Sequence, residues 1–174
     1  MKLTTKVILM MGALSMAACT NAGKLGGGAG DGAFDPNAVG NSGVIAGSAS
    51  DPASTAYFQQ AVGDRVTFEV DQSSLTAVGR ATLDGQATWL LTNADYTAII
   101  EGHADEQGTR EYNIALGNRR ADAARSYLVS KGVPSSRMQI VSYGKERPIE
   151  ICSEEACYAK NRRAVTVLAG GLTG

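Results

Sequence analysis

Histidine is almost absent from this chain of 174 residues, which holds one His, three Cys and four Pro. A lone His excludes multi-histidine metal centres, and three Cys cannot build a four-thiolate zinc site. Those metalloenzyme patterns fail on the count alone; no cofactor and no catalysis are expected. Excess charge is missing too. With 16 basic against 17 acidic side chains, no strong field exists to hold nucleic acid. Nor is there an apolar run of the roughly 20 residues that a bilayer about 30 Å thick requires. What the chain does have is 44% hydrophobic residues, enough for one core, and 21 Gly, crowded toward the beginning.

Lys2 and Lys6 precede an apolar run from Val7 to Ala18, interrupted only by Gly12 and Ser15 and ending in small residues. That order of basic, apolar and small segments is a secretory signal peptide, expected over residues 1–18. Leu14-Ser15-Met16-Ala17-Ala18-Cys19 resembles the bacterial lipoprotein processing site, departing from it at Met16, where Leu is usual. The resemblance implies that Cys19 receives diacylglycerol and becomes the new N-terminus. Two or three acyl chains, each buried methylene contributing about 0.8 kcal/mol, would fix it to a membrane. Thr20 in place of an Asp implies the periplasmic face of the outer membrane.

Residues 19–55 are Gly, Ala, Ser, Asn and Asp with few large apolar side chains, including Gly26-Gly27-Gly28-Ala29-Gly30. Such a segment buries too little surface to offset chain entropy and reads as a flexible tether, with a root-mean-square reach of about 30 to 36 Å. Phe34, Val44 and Ile45 are the exceptions and are candidates for docking on the domain or a partner.

Residues 56–174 form the expected domain. Val66, Phe68 and Val70 alternate with polar neighbours as a strand does. Asp71 and Ser73-Ser74 then supply stop and cap chemistry before a helix carrying Leu75, Val78, Leu83, Ala87 and Leu90 on one stripe up to Leu91. Tyr96 to Glu101 reads as a second strand, and Arg110 to Lys131 as a second helix with Gly132 at C′, burying Tyr112, Ala115, Leu116, Ala123, Tyr127 and Leu128. Met138 to Ser142 and Ala164 to Leu168 complete four strands. The order β-α-β-α-β-loop-β predicts a two-layer α/β (α+β) sandwich with both helices on one four-stranded mixed sheet.

Between the second strand and second helix lies Gly102-His103-Ala104-Asp105-Glu106-Gln107-Gly108-Thr109, a polar loop entering a helix N-terminus, where anions are favoured. Asn113 and Arg120 stand one heptad apart, so they project from faces about 20° apart. Asp105 and Arg120 suit a zwitterion clamp, the carboxylate taking an ammonium while Arg120 and loop amides hold a carboxylate. A structural Asp105–Arg120 salt bridge, or a solvated helix face, fits the same spacing.

Gly102-His103-Ala104-Asp105-Glu106-x-Gly108-Thr109, Glu111-Tyr112-Asn113, Leu116-Gly117, Arg119-Arg120-Ala121, Ser142-Tyr143-Gly144-Lys145 and Asn161-Arg162-Arg163-Ala164-Val165 together resemble the OmpA-like domain family over about Val66 to Leu168, in its peptidoglycan-associated lipoprotein branch. The resemblance implies non-covalent binding of peptidoglycan through the diaminopimelate of its stem peptide, a zwitterion. Asp105 and Arg120 correspond to the family's signature contacts. Asp71, Asn113, Leu116, Thr109 and one Arg of the Asn161-Arg162-Arg163 run correspond to supporting positions. Adjacent residues at a strand entrance face opposite ways, and Arg162 is favoured over Arg163. The same resemblance implies a second partner, the β-propeller protein TolB of the Tol-Pal cell-division system; an OmpA-like lipoprotein outside that system is the alternative.

The enzymatic rival is a peptidoglycan hydrolase. His103 has no motif-placed nucleophile to serve and is expected to be satisfied by a backbone carbonyl. Asp105 and Glu106, being adjacent, do not converge across a substrate as a hydrolytic acid and base must. Once Cys19 is assigned to lipid, Cys152 and Cys157 remain as a pair, and in an oxidising periplasm a disulfide is expected.

Overall fold

Residues 44–170 are described by the computed structural model. The expected signal peptide, Cys19 and Phe34 lie outside the described residues. Val44 and Ile45 are inside them and are exposed. The expected tether does not run free to residue 55. Ser54 caps the single turn α1 (Thr55–Tyr57), accepting from Tyr57 N, and Trp89 Nε1 donates to Pro52 O at 2.7 Å. Tyr96 Oη donates to Ala53 O at 3.0 Å, so this stretch is held by the domain it was expected to precede. Composition hides this because the partners are backbone carbonyls. A π-helical turn, Phe58–Gly63, follows and buries Phe58.

The remaining elements are β1 (Arg65–Thr67), α2 (Ala77–Thr92), β2 (Tyr96–His103), α3 (Arg110–Ser130), a 3-10 turn (Ser135–Arg137), β3 (Met138–Gly144), α4 (Glu155–Asn161) and β4 (Arg163–Gly170). The sheet order is β1-β4-β2-β3, with β2 and β3 parallel and the other pairs antiparallel. Parallel pairing of β2 and β3 requires a crossover, which α3 supplies. The mixed sheet and two long helices agree with the expected sandwich, and the expected loop before the last strand contains α4.

Three elements differ in detail from the sequence reading. The β1 ladder stops at Thr67. Phe68 is buried beyond it, Val70 is 50% exposed, and Asp71 adopts φ +56° in a turn that leaves the sheet. In α2 the N-cap is Thr76, not Ser73 or Ser74, its hydroxyl accepting from Gly79 N at 3.0 Å; Val78 faces solvent. In α3 the buried face is Asn113, Leu116, Gly117, Arg120, Ala121, Ala124 and Leu128, recurring every three or four positions, while Tyr112 and Ala115 are exposed and Ala123 and Tyr127 half-buried. A hydrophobic stripe could not find that face, because three of its members are Asn, Gly and Arg.

Close backbone approach locks α3 to the sheet. A Cβ on Gly102 would lie 1.8 Å from Gly117 O, and one on Gly117 would lie 2.4 Å from Ser142 Oγ. Ser142 Oγ donates to Ile114 O at 2.7 Å across the same contact. Arg120 follows Gly117 by about one turn, and His103 and Asp105 follow Gly102, so this contact sets the distance between the helix and the end of β2.

Candidate functional site

Asp105 lies just past the end of β2 and is 7% exposed. Its Oδ1 accepts from Gln107 N at 3.3 Å and its Oδ2 faces Arg162 Nη1 at 3.2 Å. Arg162, the residue joining α4 to β4, also donates through Nε to Phe68 O and through Nη2 to Glu155. Arg163 turns elsewhere, donating to Asn161 O and Arg147 O. Of the adjacent pair, Arg162 is the one beside Asp105.

Arg120 is fully buried. Each of its three side-chain nitrogens donates to a backbone carbonyl: Nε to Gln72 O at 2.8 Å, Nη1 to His103 O at 2.9 Å and Nη2 to Glu69 O at 3.2 Å. The guanidinium also lies 5.3 Å from the Phe68 ring centroid. Burial pulls its pKa down to about 10, opposed by the negative field of Asp105, and it stays charged at neutral pH. The alternative of a structural Asp105–Arg120 salt bridge is not formed, since Asp105 pairs with Arg162. Arg120 fastens the turn that presents Asp71 to the strand end that leads into Asp105. Its carbonyl partners come from one turn, residues 69–72, and from the end of β2, which sequence spacing cannot reveal.

A cavity of about 290 Å³ opens between this turn and α3, lined by Asp71, Asp105, Gly108, Tyr112, Asn113 and Leu116 among others. Asn113 is buried and its Nδ2 donates to Gln107 O at 2.7 Å, fixing the loop that carries Asp105. Thr109 caps α3, accepting from Tyr112 N at 3.2 Å. Hydrophobic spacing predicts Tyr112 in the core. Instead it lines the cavity, and its hydroxyl donates to Asp71, a bond that raises its pKa. The structure thus gathers Asp71, Asp105, Asn113 and Leu116 around one opening, with Thr109 capping the neighbouring helix and Arg162 behind Asp105.

His103 is 1% exposed and neither ring nitrogen has a hydrogen-bond partner, contrary to the expected carbonyl contact. Its ring packs on Tyr143 at 5.6 Å between centroids, and Nε2 lies 3.5 Å from Glu101 Oε2. Burial, then the neighbouring Arg163 and Arg147 cations, lower its pKa to about 4, so it is neutral at pH 7. Glu106 points away from Asp105 and accepts from Asn161 Nδ2 at 2.7 Å. The Cys152–Cys157 disulfide is formed, with Cα atoms 6.0 Å apart. Among the described residues no group of His, Cys, Asp and Glu is arranged to hold a metal ion. No helix among them is long and apolar enough to cross a membrane.

Four strands in this order, with the cavity at the β2–α3 junction, define an OmpA-like domain. The OmpA family model matches residues 67–162, and the chain belongs to that family. It is 54% identical over 135 residues to a Rhizobium meliloti protein named "Peptidoglycan-associated lipoprotein", covering 78% of this chain and 76% of the relative. An Agrobacterium fabrum protein of the same name is 46% identical over 164 residues, covering 94% and 87%. The crystal structure of the peptidoglycan-associated lipoprotein from Burkholderia pseudomallei superposes with a TM-score of 0.63 at 36% identity, covering 68% of this chain and all of that one. These relatives are named for an association and not for a reaction, which agrees with the expectation of a non-enzymatic protein.

Proposed function

We propose that this protein anchors the outer membrane to peptidoglycan without covalent linkage, by taking the diaminopimelate head group of the stem peptide into the cavity beside Asp105. The observation that carries this reading is the buried Asp105 carboxylate, held by Arg162 and lining the same cavity as a second carboxylate, Asp71. Two carboxylates lining one cavity suit an ammonium. The N-terminus of α3 and the positive field of Arg120 behind the wall favour the carboxylate of the same ligand. Asn113, Leu116 and Thr109 shape the opening.

In this reading residues 1–18 are removed, Cys19 is acylated, and the Gly-rich segment that follows joins the membrane to the domain. The TolB-type β-propeller of the Tol-Pal system is the second partner, so the anchor acts during envelope constriction at division. Family membership and the relatives' name, which couples lipoprotein with peptidoglycan, support the anchoring.

The test is co-sedimentation of the purified full-length protein with intact sacculi. Retention without release of soluble fragments, competed by free diaminopimelate, is the expected result. Clearing of the suspension, or undiminished retention of a folded Asp105→Asn variant, overturns it.

A further inference from the structure

Helix α4 buries none of its apolar side chains; its one buried residue is Asn161. At seven residues, and with no side-chain hydrogen bond from its N-cap residue Glu154, it has little stability of its own. It is held instead at both ends. At the C-terminal end Asn161 Oδ1 accepts from Ile149 N and Glu150 N, while Nδ2 donates to Glu150 O and to Glu106 beside the site. At the N-terminal end the Cys152–Cys157 disulfide ties the first turn to the preceding loop.

That first turn carries Glu155, whose carboxylate accepts from Arg162 Nη2. Arg162 is 3% exposed and its Nη1 meets Asp105. Glu155 itself is 65% exposed in its side chain, so it keeps its place only if the turn beneath it is rigid. The chain disulfide, Glu155, Arg162, Asp105 is unbroken, and it ends at the cavity.

On the reading that this cavity is the binding site, we propose that Glu155 and the Cys152–Cys157 disulfide are positioning elements of that site, holding Arg162 in the orientation that aims Asp105 into the cavity. Reduction frees only the end of α4 that bears Glu155, because the Asn161 contacts survive it. The expected effect is a graded loss of affinity rather than unfolding, which makes ligand binding sensitive to the redox state of the envelope.

The experiment is calorimetric titration of full-length protein with free diaminopimelate, well below the unfolding temperature. Reductant, Glu155→Gln, and the Cys152→Ser/Cys157→Ser pair are each expected to weaken binding about five- to tenfold, and Glu155→Gln with reductant no more than either alone. A purely stabilising disulfide would lower Tm and leave Kd unchanged. Should the Cys double variant misfold, Glu155→Gln and reductant decide. If both leave Kd within about twofold while Asp105→Asn abolishes binding, the positioning role is wrong and the site stands. Additive losses also overturn the shared path. Absence of binding by the unaltered protein, or binding indifferent to Asp105→Asn, overturns the cavity reading and this inference with it.

Discussion

Arg162 Nη1 stands 3.2 Å from Asp105 Oδ2, with the two side chains 4% and 10% exposed. Asp105 is thus not a free carboxylate awaiting a ligand; it is already oriented by a buried cation. Removing it leaves Arg162 with Glu155 as its remaining carboxylate partner. Asp105→Ala should therefore cost about 1–3 kcal/mol in urea denaturation as well as sacculus binding. Loss of binding with no stability change would mean that the pair does not persist in solution.

Arg120 is expected to be the more sensitive position. Lys cannot reproduce a fork that satisfies Gln72 O, His103 O and Glu69 O together. Arg120→Lys should destabilise by about 2–4 kcal/mol, read from the denaturation midpoint, before any effect on ligand is considered.

The close contact of α3 with β2 predicts a steep steric penalty. Gly102→Ala meets Gly117 O, which is backbone, whereas Gly117→Ala meets first the Ser142 hydroxyl, which can rotate, although Gly102 O is also near at 2.8 Å. Both variants should lose about 1–3 kcal/mol or more, and Gly102→Ala should be the worse in thermal unfolding.

His103 sets a pH dependence. Its folded pKa of about 4 lies below the ordinary 6.5, so between those values the unfolded chain binds the extra proton. The stabilisation is complete above about pH 6.5 and is lost as pH falls toward 4, amounting to about 3 kcal/mol. In His103→Gln this part of the acid destabilisation should vanish from a series of urea curves; an unchanged pH slope would show that His103 takes up its proton alike in the folded and unfolded chain.

For the ligand itself, Asp71 is informative because it is exposed and its loss should hardly affect the core. Asp71→Asn should reduce retention on sacculi with less than about 1 kcal/mol of stability change, while Tyr112→Phe, which removes the hydroxyl bound to Asp71, should give a smaller reduction.

The four strands, both long helices and the end of α3 before Gly132 were legible because alternation, helical spacing and a C′ glycine are local properties. Residue order alone likewise brings Gly102 to Thr109 to the β2–α3 junction and leaves Cys152 and Cys157 to pair. Which groups the junction's side chains bond to is set by the packing of distant segments. The resemblance implies Arg120 as a ligand contact; the structure adds that it donates to the carbonyls of residues 69, 72 and 103 while Asp105 pairs with Arg162. Tyr112 left its expected core position for the same reason, and its phenol lines the cavity together with the buried Asn113. Periodicity records polarity. It does not record which backbone carbonyls the folded chain will bring within reach of a buried donor, and those carbonyls decided which side chains remained for the site.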